Sequence, residues 1–301
     1  MSRVAIQVLL YKSSSHLAPL LSSLKAQAFQ DFDVWFCDNS EDAEESKRAR
    51  ELVESSGLHA HFIISEKNTG FAGGHEALYR MHDAPLVLLL NDDAKFESAY
   101  LEATVRCLEL NSKVGSVTGL VYRDETKTKV DTAGLIYHCL GRIVDRWAGQ
   151  AAPSNVEEGE VFGVSAAVGI YRRSAVDIAG GLFDPTWFMY KEDVDLAIRL
   201  RRAGFISWFE PKAIATHPRG IKEEGGGVFE RIANERRRSV RARESSYVNQ
   251  WRIYHRYWKT IGWKDKCETV ITEIGRSALV FLASPNVLVR ARSVVLNNKN
   301  V

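Results

Sequence analysis

Two adjacent carboxylates, Asp92 and Asp93, follow a short apolar run in an order that suits cation binding. Residues 86–90 are apolar without interruption, which predicts a strand buried on both faces. Paired carboxylates at the end of such a strand repel each other unless a cation or a hydrogen-bond donor lies between them. Their hard oxygen ligands suit Mg²⁺ or Mn²⁺, which usually also bind substrate phosphates. The residues leave a second interpretation open, in which Asp92 and Asp93 cap a helix that begins near Phe96.

A second acidic pair, Glu192 and Asp193, opens a predicted helix directly after an aromatic run that contains Trp187 and Tyr190. A carboxylate beside apolar side chains can gain the basicity that a general base needs. Acidic residues are also common at helix N-termini, because they complement the helix dipole. The segment by itself therefore allows either a catalytic base or an ordinary helix start.

Other polar residues in the second half have simpler interpretations. His217 follows a short predicted strand, and a lone histidine is more often structural than functional. It would complete a metal site only if the fold brought it near Asp93. Asp195 and Arg199 have the i,i+4 spacing of an ordinary surface ion pair on a helix.

A glycine-rich turn at residues 70–74 stands between a predicted strand and a predicted helix. Backbone N–H groups at such a turn can approach a phosphate or a sugar. The turn lacks the GxGxxG spacing of dinucleotide-binding folds, and the chain has no GxxxxGK[ST] phosphate loop.

Strands and helices that would position these residues alternate along the first half of the chain. Strands are predicted at residues 4–10, 34–37, 61–65 and 86–90, with helices at 17–27, 41–54 and 73–81. This alternation predicts an α/β fold with a parallel sheet covered by helices, in which ligands bind beyond the carboxyl ends of the strands. Asp38, Asn68 and Asp92 all fall at those ends.

The second half is predicted to be less regular. Strands are expected at residues 115–122, 161–171, 206–209 and 213–217, a helix at 193–203 and a glycine-rich loop at 220–227. From residue 231 the chain becomes helical, basic and aromatic, so we expect a main domain over residues 1–230 and a helical C-terminal region over 231–301.

The composition of the 301 residues is that of a folded protein, with 45% hydrophobic residues. Its 40 basic and 38 acidic residues exclude a uniformly polybasic nucleic-acid binder, but their distribution is uneven. The formal charge is −8 over residues 1–230 and +10 over residues 231–301. Four scattered cysteines, no signal-peptide pattern and no long apolar stretch predict a cytoplasmic protein, either soluble or peripheral on the inner face of the cell membrane.

These motifs, in this order, resemble the family-2 glycosyltransferases of GT-A fold, and especially their bacterial rhamnosyltransferase-like branch. The resemblance extends over about residues 4–220. It rests on the segments Asp38-Asn39-Ser40, residues 68–75 (NTGFAGGH), Asn91-Asp92-Asp93, residues 180–184 (GGLFD), residues 188–196 (FMYKEDVDL) and His217.

The resemblance implies a role for each matching position. Asp193 would be the catalytic base, oriented by Glu192, and Asp93 with His217 would hold the Mn²⁺ or Mg²⁺ ion on the donor diphosphate. The nucleotide would contact Tyr11, Asp38 (base), Asn68, Gly70, Phe71, Gly74 and Asp92 (ribose). Sugar contacts would come from Trp187, Tyr190 and His75, the last standing where the branch commonly has Asn.

The implied reaction is a single in-line displacement that inverts the sugar carbon, with one carboxylate taking the acceptor proton and a cation neutralising the leaving diphosphate. The first choice of donor is dTDP-rhamnose and the second a UDP-hexose. The acceptor would be a saccharide or a lipid-linked saccharide in cell-surface polysaccharide assembly. The alternatives are a non-catalytic saccharide- or nucleotide-binding module of the same fold, and a nucleic-acid binder that uses the basic tail.

The C-terminal region contains an aromatic stripe, Tyr247, Trp251, Tyr254 and Trp258, at 4-3-4 helical spacing. The stripe could pack on the catalytic domain, or it could lie with basic neighbours on an anionic membrane surface. A second amphipathic helix is predicted from Val270, Ile271, Ile274, Ala278, Phe281 and Leu282, ending at Pro285.

Overall fold

The computed structural model describes residues 2–218 and 228–288. The loop predicted at residues 220–227 lies outside the described residues, as do residues 289–301 of the predicted C-terminal region. The chain divides into two compact units. The first unit comprises Met1–Leu135, Asp145–Phe188 and Glu192–Pro218, and the second comprises Ile136–Val144, Met189–Lys191 and Arg219–Val301.

The first unit is built on a ten-stranded mixed sheet. Its strands are β1 (Val4–Leu10), β2 (Phe32–Asp38), β3 (Ala60–Ile64), β4 (Leu86–Asn91), β5 (Lys95–Phe96), β6 (Val114–Tyr122), β7 (Val130–Thr132), β10 (Gly159–Val161), β11 (Val168–Arg172) and β12 (Ile206–Thr216). The order across the sheet is β10-β12-β6-β11-β4-β1-β2-β3, with β5 paired to β12 and β7 to β6. Two further strands, β8 (Leu135–Cys139) and β9 (Arg142–Asp145), pair with each other.

Strands β1 to β4 run parallel to one another, because helices connect them on the faces of the sheet. These helices are α1 (Leu17–Lys25), α2 (Ala43–Ser55) and α3 (Gly70–Tyr79), and later helices are α4 (Tyr100–Leu110), α5 (Arg173–Ile178) and α6 (Glu192–Arg202). The β4 side chains up to Leu90 are all buried, as the apolar run predicts. The predicted α/β fold with a parallel sheet is confirmed, and the carboxyl ends of β1, β2 and β4 meet at one edge.

Three predicted strands differ from the observed ones. Residues 161–171 were expected to form one strand, but β10 ends at Val161 and β11 begins only at Val168, after a turn in which the Val168 N–H bonds the Ser165 carbonyl at 3.3 Å. Conversely, the two short strands expected at 206–209 and 213–217 are a single strand, β12, whose register shifts between Glu210 and Ile214.

The second unit contains α7 (Val228–Arg237), α8 (Val240–Tyr257) and α9 (Trp263–Ala283). The α8 aromatic stripe packs inside this unit: Tyr247 and Tyr254 are 7% and 6% exposed, and their hydroxyls bond Ser277 and Glu273 of α9 at 3.0 and 2.8 Å. The side chains of Tyr247 and Tyr254 therefore pack against α9. Among the described helices, none has both the length and the apolar character that crossing a bilayer requires.

Candidate active site

Asp93 and His217, which are 124 positions apart in sequence, meet at the carboxyl edge of the sheet. Asp93 follows β4, and His217 directly follows β12, where its N–H bonds the Tyr122 carbonyl at 2.8 Å. His217 Nε2 lies 3.3 Å from Asp93 Oδ1 and 2.9 Å from the Asn91 amide nitrogen. His217 therefore lies near Asp93, which is the condition for its functional interpretation.

Asp131, which sequence reasoning missed, fixes the His217 ring from its other side. The Asp131 carboxylate on β7 is 2% exposed and accepts a hydrogen bond from His217 Nδ1 at 2.8 Å. Burial lowers the pKa of His217, but hydrogen bonds from its ring to Asp131 and Asp93 outweigh that effect and raise the pKa to about 9. The two carboxylates thus orient the imidazole and increase its basicity.

This arrangement fits a divalent cation. Metal-binding histidines usually donate one ring N–H to a carboxylate, which orients the other nitrogen towards the ion. His217 does so with Asp131, and its Nε2 faces the Asp93 carboxylate. A carboxylate oxygen and an imidazole nitrogen are both suitable ligands for Mn²⁺, and Mg²⁺ also accepts the carboxylate.

Asp92 points towards the end of β1. Its carboxylate accepts a hydrogen bond from the buried Ser13 hydroxyl, and His16 Nε2 lies 3.9 Å from its other oxygen. The interaction with the Asp92 carboxylate is the largest cause of the raised pKa of His16. Tyr11, predicted to contact the nucleotide, is 56% exposed at the same strand end.

Asp38, predicted to contact the base, lies at the carboxyl end of β2. Its side chain is 1% exposed, and its two oxygens accept hydrogen bonds from the Ser40 backbone and hydroxyl and from the Ser46 hydroxyl. These bonds hold the loop that follows β2. A carboxylate can accept further hydrogen bonds, so contact of Asp38 with the base stays a prediction.

The glycine-rich turn at the start of α3 is shaped by a close packing contact. Gly70 has a φ of +73°, and a Cβ there would lie 2.4 Å from Phe188. Asn68 accepts a hydrogen bond from the Gly70 N–H at 2.9 Å, and the Phe188 carbonyl accepts one from the Ala72 N–H at 3.1 Å. The N–H groups of Gly70 and Ala72 therefore already have hydrogen-bond acceptors within the protein. Gly74 is similarly tight, since a Cβ there would lie 2.7 Å from Leu9.

Glu192 and Asp193 begin α6 after a strained segment. Phe188, Tyr190 and Lys191 all have positive φ, between 56° and 71°. Left-handed backbone at non-glycine residues costs about 1–3 kcal/mol each and concentrates at functional sites. Glu192 is buried, whereas Asp193 is partly exposed and accepts a hydrogen bond from the Val194 N–H at 2.8 Å.

Arg199 and Asp195 do not form the surface pair that their spacing predicts. Asp195 is 2% exposed, and Arg199 Nε bonds it at 2.7 Å. The same guanidinium donates to the carbonyls of Ala179, Gly181 and Leu182 at 2.6–3.0 Å. The buried Asp195–Arg199 pair therefore fixes the loop at residues 179–182, which precedes the aromatic segment.

Two of the three predicted sugar contacts lie in the core. Trp187 is 2% exposed and its indole N–H bonds Asp184 at 3.2 Å. His75 is fully buried beside Phe71, with its ring centroid 4.4 Å from that of Phe71. Neither offers exposed surface to a sugar in this conformation. Tyr190 is partly exposed, and the Arg238 guanidinium lies 4.7 Å from its ring.

The contacts of Ser13 and Asp131 were missed for a common reason. Asp131 reaches His217 across 86 positions and Ser13 reaches Asp92 across 79. Only the pairing of distant strands creates these contacts, so no local spacing could have indicated them. The one available signal was the position of Ser13, three residues after β1 ends at the ligand edge.

The family comparison covers most of the chain. Residues 2–242 match the family model described as glycosyltransferase like family 2. The matched range includes every residue of the site described above.

Curated relatives match over a shorter stretch. The chain is 29% identical over 142 residues to the N-acetylglucosaminyl-diphospho-decaprenol L-rhamnosyltransferase of two Mycobacterium tuberculosis strains, CDC 1551 / Oshkosh and ATCC 25618 / H37Rv. The match covers 44% of this chain and 46% of each relative, so the chain spans about half the length of those proteins.

Solved structures share the fold at low sequence identity. The structure of GalNAc-T7 with UDP, GalNAc and Mn²⁺ matches with a TM-score of 0.59 and 10% identity, over 72% of this chain and 44% of that one. The mannosyltransferase PcManGT from Pyrobaculum calidifontis, in complex with GDP-Man and Mn²⁺, matches with a TM-score of 0.56 and 13% identity, over 99% and 88%.

Proposed function

The chain belongs to glycosyltransferase family 2, and we propose that it is an inverting, metal-dependent enzyme that transfers a sugar from a nucleotide diphosphate to a saccharide acceptor. The observation that carries the proposal is the contact of Asp93, His217 and Asp131 at the carboxyl edge of the sheet. In α/β sheets that edge is where ligands bind. A buried histidine held between two carboxylates is difficult to explain as a packing feature alone, because burying charged groups is costly.

Asp93 and His217 would hold the cation, Mn²⁺ or Mg²⁺. Bound there, the ion would neutralise the charge that develops on the leaving diphosphate. Asp131 would keep the His217 ring oriented, and Ser13 would hold Asp92 in place for the ribose. The metal-containing structures of the two fold neighbours support a divalent ion without distinguishing the metals.

Asp193 would act as the general base. Its carboxylate takes the proton of the acceptor hydroxyl while the new bond from that oxygen to the sugar carbon forms. The bond from the sugar carbon to the diphosphate breaks on the opposite side, and the nucleoside diphosphate leaves. One displacement inverts the configuration of the carbon. Glu192, buried beside Asp193, would orient the base.

L-Rhamnose from dTDP-rhamnose is the first choice of donor, and a UDP-hexose is the second. The curated relatives support rhamnose, because their name is that of an L-rhamnosyltransferase acting on a decaprenol-linked sugar. The same name supports a lipid-linked saccharide acceptor, and we propose that transfer to it serves cell-surface polysaccharide assembly. A cytoplasmic location, peripheral on the membrane where such acceptors lie, follows from that acceptor.

We infer that α9 is the membrane-facing element of the C-terminal region. The apolar face of this helix is exposed, with Trp263, Ile271 and Phe281 at 79%, 70% and 61% and Ile274 at 67%. Residues at these positions fall on one stripe of a helix. Lys264 lies beside the stripe, and the region carries a formal charge of +10, which suits an anionic surface.

Two alternatives predict different results. A non-catalytic module that retains the fold would bind nucleotide without turnover, and the intact set of Asp93, Asp193 and His217 argues against it. A nucleic-acid binder would show steep salt-dependent binding to random DNA through the basic tail.

The direct test measures transfer and hydrolysis across a panel of nucleotide sugars with Mn²⁺ or Mg²⁺. We expect turnover with dTDP-rhamnose, an inverted product and no turnover in excess EDTA. The Asp93→Ala variant should fold normally and be inactive, because charge neutralisation at the diphosphate is lost. Turnover that persists in EDTA would disprove the metal dependence, and absence of turnover with every donor would favour the binding module.

A further inference from the structure

Three metal-binding side chains converge at the end of the sheet opposite the candidate active site. Asp33 lies on β2, His61 lies on β3 and His59 directly precedes β3. One ligand atom of each side chain lies within 4.8 Å of the other two. The strands are parallel, and their register pairs Trp35 with His61, which places Asp33 level with His59 on the same face. We propose that Asp33, His59 and His61 form a binding site for a transition metal ion of the Zn²⁺ class.

Two imidazoles and one carboxylate are the donor set that such metals prefer. With bonds of about 2.0–2.1 Å in a tetrahedral site, ligand atoms stand about 3.4 Å apart, so small side-chain adjustments close this cluster on an ion. Three protein ligands leave one position for water. Mg²⁺ and Ca²⁺ prefer oxygen ligands throughout, so they are not expected to compete.

The ligands are oriented by their neighbours. His59 Nδ1 contacts Asp33 Oδ1, and the Ser2 side chain also donates a hydrogen bond to Asp33. His61 stacks on Trp35, with ring centroids 3.8 Å apart and planes 17° from parallel. Asp33 is 17% exposed and His59 is 74% exposed at the side chain. The Asp33 side chain is thus largely enclosed by the protein, while the His59 side chain is accessible to an ion from solvent.

The position of the cluster separates it from sugar transfer. Asp33 and Asp38 stand near opposite ends of β2, about 16 Å apart at the usual rise per residue. An ion held by Asp33 therefore cannot reach a diphosphate at the carboxyl edge. It would join the start of β2 to that of β3, the outermost strand of the sheet. The bound metal would hold this edge strand against β2.

The test uses Zn²⁺ and untagged protein in the His217→Gln background, so that the candidate active site contributes little binding. Equilibrium dialysis should give one Zn²⁺ per chain, and Co²⁺ should bind with the visible absorption of a four- or five-coordinate nitrogen and oxygen site. Adding His59→Gln, His61→Gln or Asp33→Asn should weaken Zn²⁺ binding at least tenfold. Zn²⁺ should raise the melting temperature only when all three ligands are present.

Two controls make the result specific. His138→Gln removes an exposed histidine outside the cluster and should leave Zn²⁺ binding unchanged. Cys107→Ser should also leave it unchanged, although Cys107, Glu158 and Glu210 form another group of close ligand atoms. Burial raises the pKa of the Cys107 thiol to about 12, which opposes metal binding there. Because His59 is highly exposed, His59→Gln should fold even if His61→Gln does not. Zn²⁺ binding that survives His59→Gln and Asp33→Asn would overturn the proposal.

Discussion

At the residue scale, the proposed chemistry depends on whether Asp193 is a base or only a helix-initiating residue. In Asp193→Asn the amide nearly preserves the shape of the carboxylate but cannot take the acceptor proton. We expect kcat to fall about 10²–10⁴-fold with little change in donor affinity, because general-base catalysis acts in the transition state. Turnover kinetics and calorimetry of nucleotide binding measure the two quantities.

Helix capping predicts a different outcome for the same substitution. Asparagine also suits a helix N-terminus, so a residue that only initiates α6 would tolerate the change with nearly full activity. Glu192→Gln is the matched control and should be milder if Glu192 only orients its neighbour. An Asp193→Asn enzyme within about fivefold of wild type would remove the proposed base.

Asp131 supplies a second prediction, at a residue that the sequence did not indicate. Asp131→Asn should weaken Mn²⁺ binding about 10–100-fold, because the carboxylate that orients His217 is lost while both proposed ligands remain. Activity should recover at high Mn²⁺ concentration, in contrast to Asp93→Ala. Titration of activity with Mn²⁺ distinguishes the two variants, and an unchanged metal dependence in Asp131→Asn would show that the His217 contact is structural.

The buried side chain of His75 makes the stability of the fold depend on pH. Burial lowers the pKa of His75 to about 3, and its Nε2 has no hydrogen-bond partner among the described residues. Between pH 6.5 and pH 3 the unfolded chain binds a proton that the folded chain does not, so stability falls as the pH falls. At pH 5 this difference is worth about 2 kcal/mol relative to pH 7.

The substitution His75→Asn should remove this acid sensitivity. Chemical unfolding at pH 7 and pH 5 should show that the wild type loses about 2 kcal/mol more than the variant over that range. His138→Gln, at an exposed position, should behave as the wild type. Equal losses in wild type and His75→Asn would mean that His75 titrates normally in the folded protein.

At the scale of elements, hydrophobic periodicity predicted the first half of the sheet well. Strand β1 matches its predicted bounds, and α1 to α3, β2, β3 and β4 differ by a few residues at their ends. These elements have strong local signals, because each apolar run is bounded by polar turns. The family resemblance added the order of the motifs, and it is confirmed by the match over residues 2–242.

The second half was harder to predict because its strands are defined by distant partners. β12 continues through a bulge that passes Gly119 of β6, where a Cβ would lie 1.8 Å from the Ala213 carbonyl oxygen. Pro211 lies in that bulge, and a proline in an apolar run normally indicates a break. The short strand β7, which carries Asp131, has no recognisable pattern of its own. The sequence could thus single out Asp93 and His217 as candidate ligands, but not Asp131, which bonds His217.

Arg199 gives a prediction for an element rather than a site. Arg199→Ala removes the ion pair between Arg199 and the buried Asp195 and releases the carbonyls of the loop that ends at Leu182. Breaking a buried pair from one side costs about 3–5 kcal/mol, so unfolding should require much less denaturant. Arg201→Ala on the same helix is the control, because its pair with Glu160 is exposed and worth about 0–1 kcal/mol. Similar losses in both variants would contradict the anchoring role.

At the scale of the whole molecule, charge and apolar surface are unevenly distributed. The formal charge of +2 conceals an acidic first part and a basic C-terminal region. The exposed apolar face of α9 lies within that basic region. In contrast, Tyr247 and Tyr254 of the α8 stripe are buried. Anionic membrane surfaces attract basic segments at about 1 kcal/mol for each nearby Lys or Arg. These features are the reason why we propose α9, and not α8, as the membrane-facing element.

Substitutions on α9 test this directly, without removing the helix that the α8 stripe packs against. A variant with Ile271→Ser, Ile274→Ser and Phe281→Ser should bind anionic liposomes at least tenfold more weakly, because each lost side chain removes apolar area available to the bilayer. Val240→Ser, at a 49% exposed apolar residue of α8, is the matched control and should bind as the wild type.

Sedimentation with vesicles of anionic and of neutral lipid, at two salt concentrations, separates the electrostatic from the apolar contribution. Donor hydrolysis by the triple variant should equal that of the wild type, which shows that its fold is intact. Liposome binding unchanged by the triple variant would mean that the apolar face of α9 meets another partner.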